Sequence, residues 1–391
     1  MVALAAPRAR AATTEFNIIP LVGGDTDVGI GFGEVGDWAR LDPAYTPYKW
    51  RIETNAFITF KPMTGSFIIP FQDYFVLLSL PEIGPGRRVR LDIRPAFTDE
   101  STLKFYGFGN ASPFPTGVPA MQTEYGRVHP TLQIEARARL APSWYSRVGS
   151  VFTYNWLRVP GNSILAETER SGTPQEKQLL GPNPFANHAV ELVEVGVEYD
   201  SRDSEVVTQH GQFHTLLARL SPAINDLFPY PYQQLDGTFR FYFTPVPRWL
   251  SLSLRLVGDL LVGQPPFYEL ARFDETAAIG GVKAVRGVPA QRFYGKVKVF
   301  ENFEARTDIV GFTLKGKRLV LGAAAFFDAG RVWTQLGTPS PELDGTGLGL
   351  RYGVGGGLRL SEGKTFVVRA DLAWSPDATP VGAYFAAGEI F

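Results

Sequence analysis

The feature that most narrows what this chain can fold into is an apolar–polar alternation of period two that recurs along most of its length. Leu250-Ser-Leu-Ser-Leu-Arg-Leu256 places Leu on every even position and Ser251, Ser253 and Arg255 on the odd ones. Gly237-Thr-Phe-Arg-Phe-Tyr-Phe-Thr244 aims Phe239, Phe241 and Phe243 one way and Thr238, Arg240 and Tyr242 the other. Val193–Asp200, Leu132–Arg139 and Thr365–Trp374 repeat the pattern, the last with Arg369 and Asp371 on a shared face. A period of two sends alternate side chains to opposite faces of a strand.

A soluble sheet also alternates, so the content of the polar face matters. Here it carries Arg88, Arg90, Asp92, Arg94, Glu135, Arg137, Arg139, Glu194, Glu198, Arg240, Arg255 and Asp259. Charges of both signs on many strands fit the wet interior of a transmembrane β-barrel better than one solvated face. No apolar run approaches the roughly 18 residues of a membrane helix. A barrel strand needs only about 9–11 residues and turns half of them away from lipid. With 41 Gly and 13% aromatic residues, the composition suits strands and tight turns. A net charge of −1 gives no bulk field for nucleic acid. The absence of Cys removes disulfides and thiolate metal sites.

About sixteen strand-like stretches can be counted, from 16–23 through 87–97, 294–307 and 318–328 to 381–391. Long connections near 98–122, 159–187 and 263–293 contrast with the short Ala141-Pro-Ser143 and Pro245-Val-Pro247. The expected fold class is therefore all-β, a transmembrane antiparallel barrel of about 16 strands spanning 15–391. Residues 1–14 read as a signal-peptide remnant or a disordered N-terminus, Ala9-Arg10-Ala11 having the small-x-small form of a cleavage site.

Within the 263–293 connection lies Ala278-Ile-Gly-Gly-Val-Lys-Ala-Val-Arg-Gly287. It is followed by strands containing Asn302-Phe-Glu-Ala-Arg306 and Phe326-Phe-Asp-Ala-Gly330, each offering a carboxylate to Arg286. Phe105-Tyr-Gly-Phe-Gly-Asn110, Glu198-Tyr-Asp-Ser-Arg-Asp203 and Phe385-Ala-Ala-Gly-Glu-Ile-Phe391 add to the set. Together these segments resemble the 85-kDa outer-membrane-protein superfamily, which includes the BamA- and TamA-type assembly barrels and the two-partner secretion transporters. The resemblance implies a bacterial outer-membrane location and a plug loop folded into a sixteen-stranded barrel. It also implies a latch of Arg286 and Gly287 against Glu304, Phe326 and Asp328, and a terminal strand signal of Phe385, Gly388 and Phe391. Two departures stand out. Val288-Pro289 follows Arg-Gly where the family carries an aromatic. With about fifteen residues ahead of the first predicted strand, the reading is of a member without POTRA domains.

At the other end of the barrel, Pro20 cannot donate to a ladder and Gly23-Gly24 weaken the first strand, so a weak seam between the first and last strands is expected. Other chemistry finds little support. His210 and His214 flank Gly211 rather than sharing a helix face, and no Ser–His pairing stands out among the four His, so no metal, cofactor or enzyme activity is expected. Gly353-Val-Gly-Gly-Gly357 lies in an alternating strand with no helix after it, and is read as space for the loop rather than a phosphate cradle. Glu301 falls on the lipid side, where a carboxylate is tolerable only near the rim.

Three functions remain open. One is a POTRA-less assembly relative that aids insertion or translocation of protein or lipid at the outer membrane. The second is a constricted small-solute or ion channel, and the third a structural anchor for a partner. The expected partners are outer-membrane lipid and protein or lipid cargo; a homodimer is compatible with the sequence, and nucleic acid is not expected.

Overall fold

The computed structural model describes residues 12–45, 48–63, 65–114, 117–204, 207–273, 280–362, 366–378 and 381–389. One antiparallel sheet closes on itself. Its strands are β1 Thr13–Asp25, β2 Gly29–Leu41, β3 Trp50–Met63, β4 Ser66–Ile68, β5 Phe71–Ile83, β6 Val89–Lys104, β7 Glu124–Ala141, β8 Trp144–Arg158, β9 His188–Asp200, β10 Gly211–Ser221, β11 Tyr232–Val246, β12 Leu250–Gly263, β13 Val297–Leu314, β14 Lys317–Trp333, β15 Arg351–Glu362, β16 Phe366–Trp374 and β17 Gly382–Ala387. Each pairs with its chain neighbours and β17 returns to β1. The three-residue β4 only folds back on Lys61–Met63, while β3 itself pairs with β5. The wall therefore has sixteen strands, an even number that brings the first and last strands' free ends to one side of the membrane.

Burial along these strands is inverted relative to a soluble protein. On β13, Lys298, Asn302 and Glu304 are buried, whereas Val299 is 47% and Phe303 40% exposed. On β9, Glu194 and Glu198 are buried while Val193, Val195 and Val197 face outward. Polar side chains line the lumen and apolar ones face lipid, so the period of two is satisfied by a membrane and not by an apolar core.

Long connections gather at one end: 105–123, 159–187, 264–296 and 334–350 all lie there, opposite turns as short as 142–143 and 315–316. In 159–187 two short helices form, α1 Ile164–Ser171 and α2 Pro174–Leu180. Ser163 caps the first by accepting from the Ala166 amide, and Thr173 with Glu176 forms a capping box on the second. Their apolar residues pack into the barrel mouth. Leu165 and Leu180 join Phe105, Phe108, Tyr125, Tyr230, Phe267, Tyr268 and Tyr294 in one buried cluster. The interior is thus polar over its lower part, as the strand faces predict, and apolar beneath the long loops, which the alternation does not predict.

Several strand limits differ from the sequence reading, among them 318–328, which runs on to Trp333. The 87–97 strand runs on to Lys104, and 294–307 runs on to Leu314. The extension to Leu314 follows from Lys315-Gly316, a two-residue turn with φ of 49° and 80° that keeps the β13–β14 ladder paired up to Leu314 with Lys317. The 381–391 strand instead ends at Ala387, because Gly388 with φ 82° turns the chain. Glu301 does face outward, half-buried, in the cross-strand row Glu301–Ala329–Tyr352, level with an aromatic of the loop-side rim.

If the outward face meets lipid, Val195→Arg, placed between Val148 and Ala218, should lower unfolding free energy by about 2–4 kcal/mol. Urea unfolding in vesicles measures this, and an unchanged midpoint would show that this face does not meet the bilayer core.

Candidate functional site

Residues 280–296 run inside the barrel against β13–β17. The guanidinium of Arg286 is fully buried and grips Asp328 as a fork, Nε donating to Oδ2 at 2.7 Å and Nη2 to Oδ1 at 3.0 Å. The Arg286 amide donates to the same carboxylate at 3.0 Å. Nη1 donates to Glu304 at 2.9 Å and to Asp371 at 3.3 Å. The Phe326 ring closes the remaining face, its centroid 3.4 Å from the guanidinium carbon. Burial alone would lower the Arg286 pKa; Asp328, then Glu304, reverse this and hold it above the ordinary arginine value.

The carboxylates are shared with further cations. Arg306 donates to Glu304 at 2.6 Å and Arg359 at 3.0 Å, while Arg369 reaches Asp371 at 2.8 Å. Arg359 also binds Asp371. Glu389, just past the turn at Gly388, lies 3.4 Å from Arg306 and 3.3 Å from Arg359. Arg286, Arg306, Arg359 and Arg369 are therefore balanced by Glu304, Asp328, Asp371 and Glu389, and the buried network carries no net charge.

The wall is carved to admit the loop. Gly353 stands opposite Asp328, and a Cβ there would lie 1.7 Å from the Arg286 carbonyl oxygen. Gly355 leaves room for the Phe326 ring and Gly357 for the Asp371 carboxylate. Gly287 takes φ 90° and donates its amide to the Tyr384 hydroxyl at 2.8 Å. Val288, in place of an aromatic, is buried with Val285, Phe293, Phe300 and Val332. Further up, Arg272 and His129 converge on Glu100, the His129 Nε2 at 3.0 Å.

The seam is short. β1 pairs with β2 over all of Thr13–Asp25, but with β17 only at Gly24–Phe385 and Asp25–Tyr384. Pro20 is exposed in the stretch of β1 that has no β17 partner, and Gly23 lies beside the Phe385 carbonyl. Gly24 itself carries one of the two pairings. The loop touches both sides: Gly287 holds Tyr384 of β17, and the Ala290 amide donates to Asp27 of the β1–β2 turn at 2.9 Å. Between seam and loop lies a cavity of about 430 Å³, lined by Leu21, Val22, Phe57, Phe71, Val282 and Phe385 among others.

The Omp85 superfamily domain matches residues 131–391, well over half of the chain. The chain belongs to the Omp85 superfamily. It is accordingly a β-barrel of the bacterial outer membrane. Among solved structures this Omp85 barrel is similar to BamA from Haemophilus ducreyi lacking POTRA domains 1–3, at 12% identity and a TM-score of 0.64, over 97% of this chain and 70% of that one. It is also similar to CdiB from Escherichia coli, at 12% identity and 0.56, covering 97% and 68%, and to CdiB from Acinetobacter baumannii, at 12% and 0.53, covering 96% and 65%. These likenesses concern the fold. No curated protein matches the sequence.

Of the residues singled out from the sequence, the Omp85 barrel brings Arg286, Gly287, Glu304, Phe326 and Asp328 into one cluster. Phe385 sits at the seam and Gly388 at the turn beyond it, while Phe391 lies outside the described residues. Sequence reasoning missed Asp371, Tyr384, Arg359 and Glu389. The signal for Asp371 was present, as it shares a face with Arg369; nothing local told which luminal cation it meets. Among the described residues no group of His and carboxylates could hold a metal ion.

Because these charges are buried, Arg286→Ala strands Asp328 and should destabilise the barrel by about 3–5 kcal/mol. Gly353→Ala should displace the loop while every charge is kept. Both variants are expected to lower the urea midpoint and to expose 280–296 to protease, and protection equal to the parent in both would dismiss the latch.

Proposed function

We propose that this Omp85 barrel acts on the outer membrane through the β1–β17 seam, aiding insertion or translocation of protein or lipid, with the Arg286 loop holding the seam shut. The observation that carries this reading is a ladder of two residue pairs, braced on both sides by one ion-paired loop. Below Gly24 the β17-facing edge of β1 has no strand partner among the described residues over Thr13–Gly23, with Phe16, Ile18 and Val22 exposed beside it. An open strand edge is a template for another strand. The family relationship supports the broad role, an assembly or translocation barrel.

The test uses the absence of native Cys. Continued by two residues, the seam register would put Val22 opposite Ala387, and both border the cavity. Val22→Cys with Ala387→Cys, oxidised in vesicles, should abolish acceleration of the folding of an added outer-membrane protein, measured against an inert barrel of similar size; reductant should restore it. Activity that is indifferent to oxidation would exclude the seam.

A second reading, a constricted channel, is favoured by the mixed charges of the lower lumen. It predicts that Arg286→Ala raises single-channel conductance in planar bilayers by loosening the loop. An unaltered current would remove it.

A further inference from the structure

At the short-turn end, the inner lip of the barrel between β5 and β8 carries an accumulation of arginine that the seam and the latch do not use. Arg90 on β6 stands directly opposite Arg137 on β7, and Arg137 directly opposite Arg147 on β8. One register nearer the rim, the Arg139 amide donates to the Arg88 carbonyl at 3.0 Å, so these two arginines also face each other. Like charges placed opposite on neighbouring strands repel. A wall that keeps two such rows in succession needs anions to neutralise them.

The deeper row has its own. Arg90 meets Asp92 at 2.8 Å, Arg137 meets Glu198, and Arg147 meets Glu135. The rim row does not. Arg139 donates to the Pro142 carbonyl at 3.3 Å and meets no carboxylate among the described residues. The Arg88 side chain is exposed and makes no hydrogen bond or ion pair among them. Arg87 is 3.7 Å from Glu82, a loose contact, and stacks on Tyr45. Arg87, Arg88, Arg90, Arg137 and Arg139 surround a cavity of about 670 Å³ whose only acidic lining residue among the described residues is Glu82. That volume lies within the range of small-molecule sites, about 300–1,000 Å³. Tyr145, against which Arg137 stacks at 4.0 Å, supplies a flat side wall.

The position of the hairpin adds a second, independent indication. Its outer face presents Leu140, 63% exposed, and Trp144, 48% exposed and packed on Tyr199 at 5.1 Å between ring centres. Aromatics at the ends of barrel strands mark the level of the lipid headgroups. The Pro142-Ser143 turn is all that separates this interfacial face from Arg139 and Tyr145 on the inner lip. Planar guanidinium groups bind phosphate oxygens bidentately, and several converging on one site recognise the group better than a point charge does.

We infer that this lip is a phosphate-binding site, occupied by the headgroup of an anionic phospholipid of the near leaflet or by a free phosphate ester. The site is distinct from the seam, and its loss leaves the seam reading untouched.

Phosphorus NMR on the folded barrel in nonionic micelles at low salt tests it. The probes are inorganic phosphate, glycerol phosphate and phosphatidylglycerol mixed into the micelle, with a glutamate-rich peptide as competitor. Line broadening by the parent should fall at least about tenfold in apparent affinity in Arg88→Glu/Arg139→Glu. It should weaken less in the milder Arg88→Gln and stay unchanged in Arg318→Glu, which reverses an exposed charge on the β13–β14 hairpin at the same end. Heat-shift electrophoresis confirms that each variant is folded. Broadening of phosphatidylglycerol alone assigns the site to a headgroup, and broadening of the soluble phosphates assigns it to free esters; either supports the inference. Equal broadening in the parent and the double variant overturns it. So does binding of the peptide where no phosphate binds.

Discussion

The arrangement of the barrel depends on one requirement, that the buried guanidinium of Arg286 be matched charge for charge. Its fork on Asp328 is the strongest single contact, yet the balance is reached only when β13, β14, β15, β16 and the segment beyond β17 each contribute a residue. Buried ion pairs are weak sources of net stability, since an apolar cluster of equal volume would do as well or better. What such a network supplies is position. Remove one member and a charge is stranded, so few placements of 280–296 satisfy every group at once. Apolar packing alone would have tolerated many.

The same requirement reaches the seam. Glu389 turns inward at Gly388 to meet Arg306 and Arg359, so Gly388 and Glu389 do not extend the β17 ladder with β1. Each ladder bond given up is worth about 0.5–1.5 kcal/mol net, whereas charge-assisted contacts are roughly twice as strong. The exchange therefore favours the network. It leaves β1 with a long open edge, an arrangement proteins usually suppress by covering or charging it.

The barrel was legible in the sequence because a strand with lipid on one side and water on the other has only one pattern available, and Leu250–Leu256 writes it plainly. Even the inward direction of Tyr384 follows from period two once Phe385 is turned outward. Arg286, Glu304 and Asp328 were reached through a resemblance; alternation alone offered a dozen luminal charges with nothing to say which would meet. That choice depends on cross-strand register and on where the loop enters, both properties of the closed barrel. The apolar cap was illegible for a related reason. Phe105, Leu165, Leu180 and Phe267 come from loops and short helices without a common period, and become a cluster only when the wall brings their connections together.

That cap also weighs on the route any cargo could take. Opening the lumen end to end means exposing Phe105, Phe108, Tyr268, Phe267 and Tyr294, all nearly fully buried, at about 1.5–3 kcal/mol for each large side chain. It also means moving a loop whose Arg286 is held by Asp328, Glu304 and Asp371. Opening the seam above its free edge breaks the pairings of Gly24 and Asp25, the Thr26 amide bond to the Ala383 carbonyl, and the contacts of Tyr384 and Asp27 with the loop, each of about 0.5–1.5 kcal/mol. The seam gives up fewer buried contacts than the axis does, and the cavity beside it is lined by Leu21, Val22 and Phe385 together with Asp25, Asp27, Glu100 and Arg272.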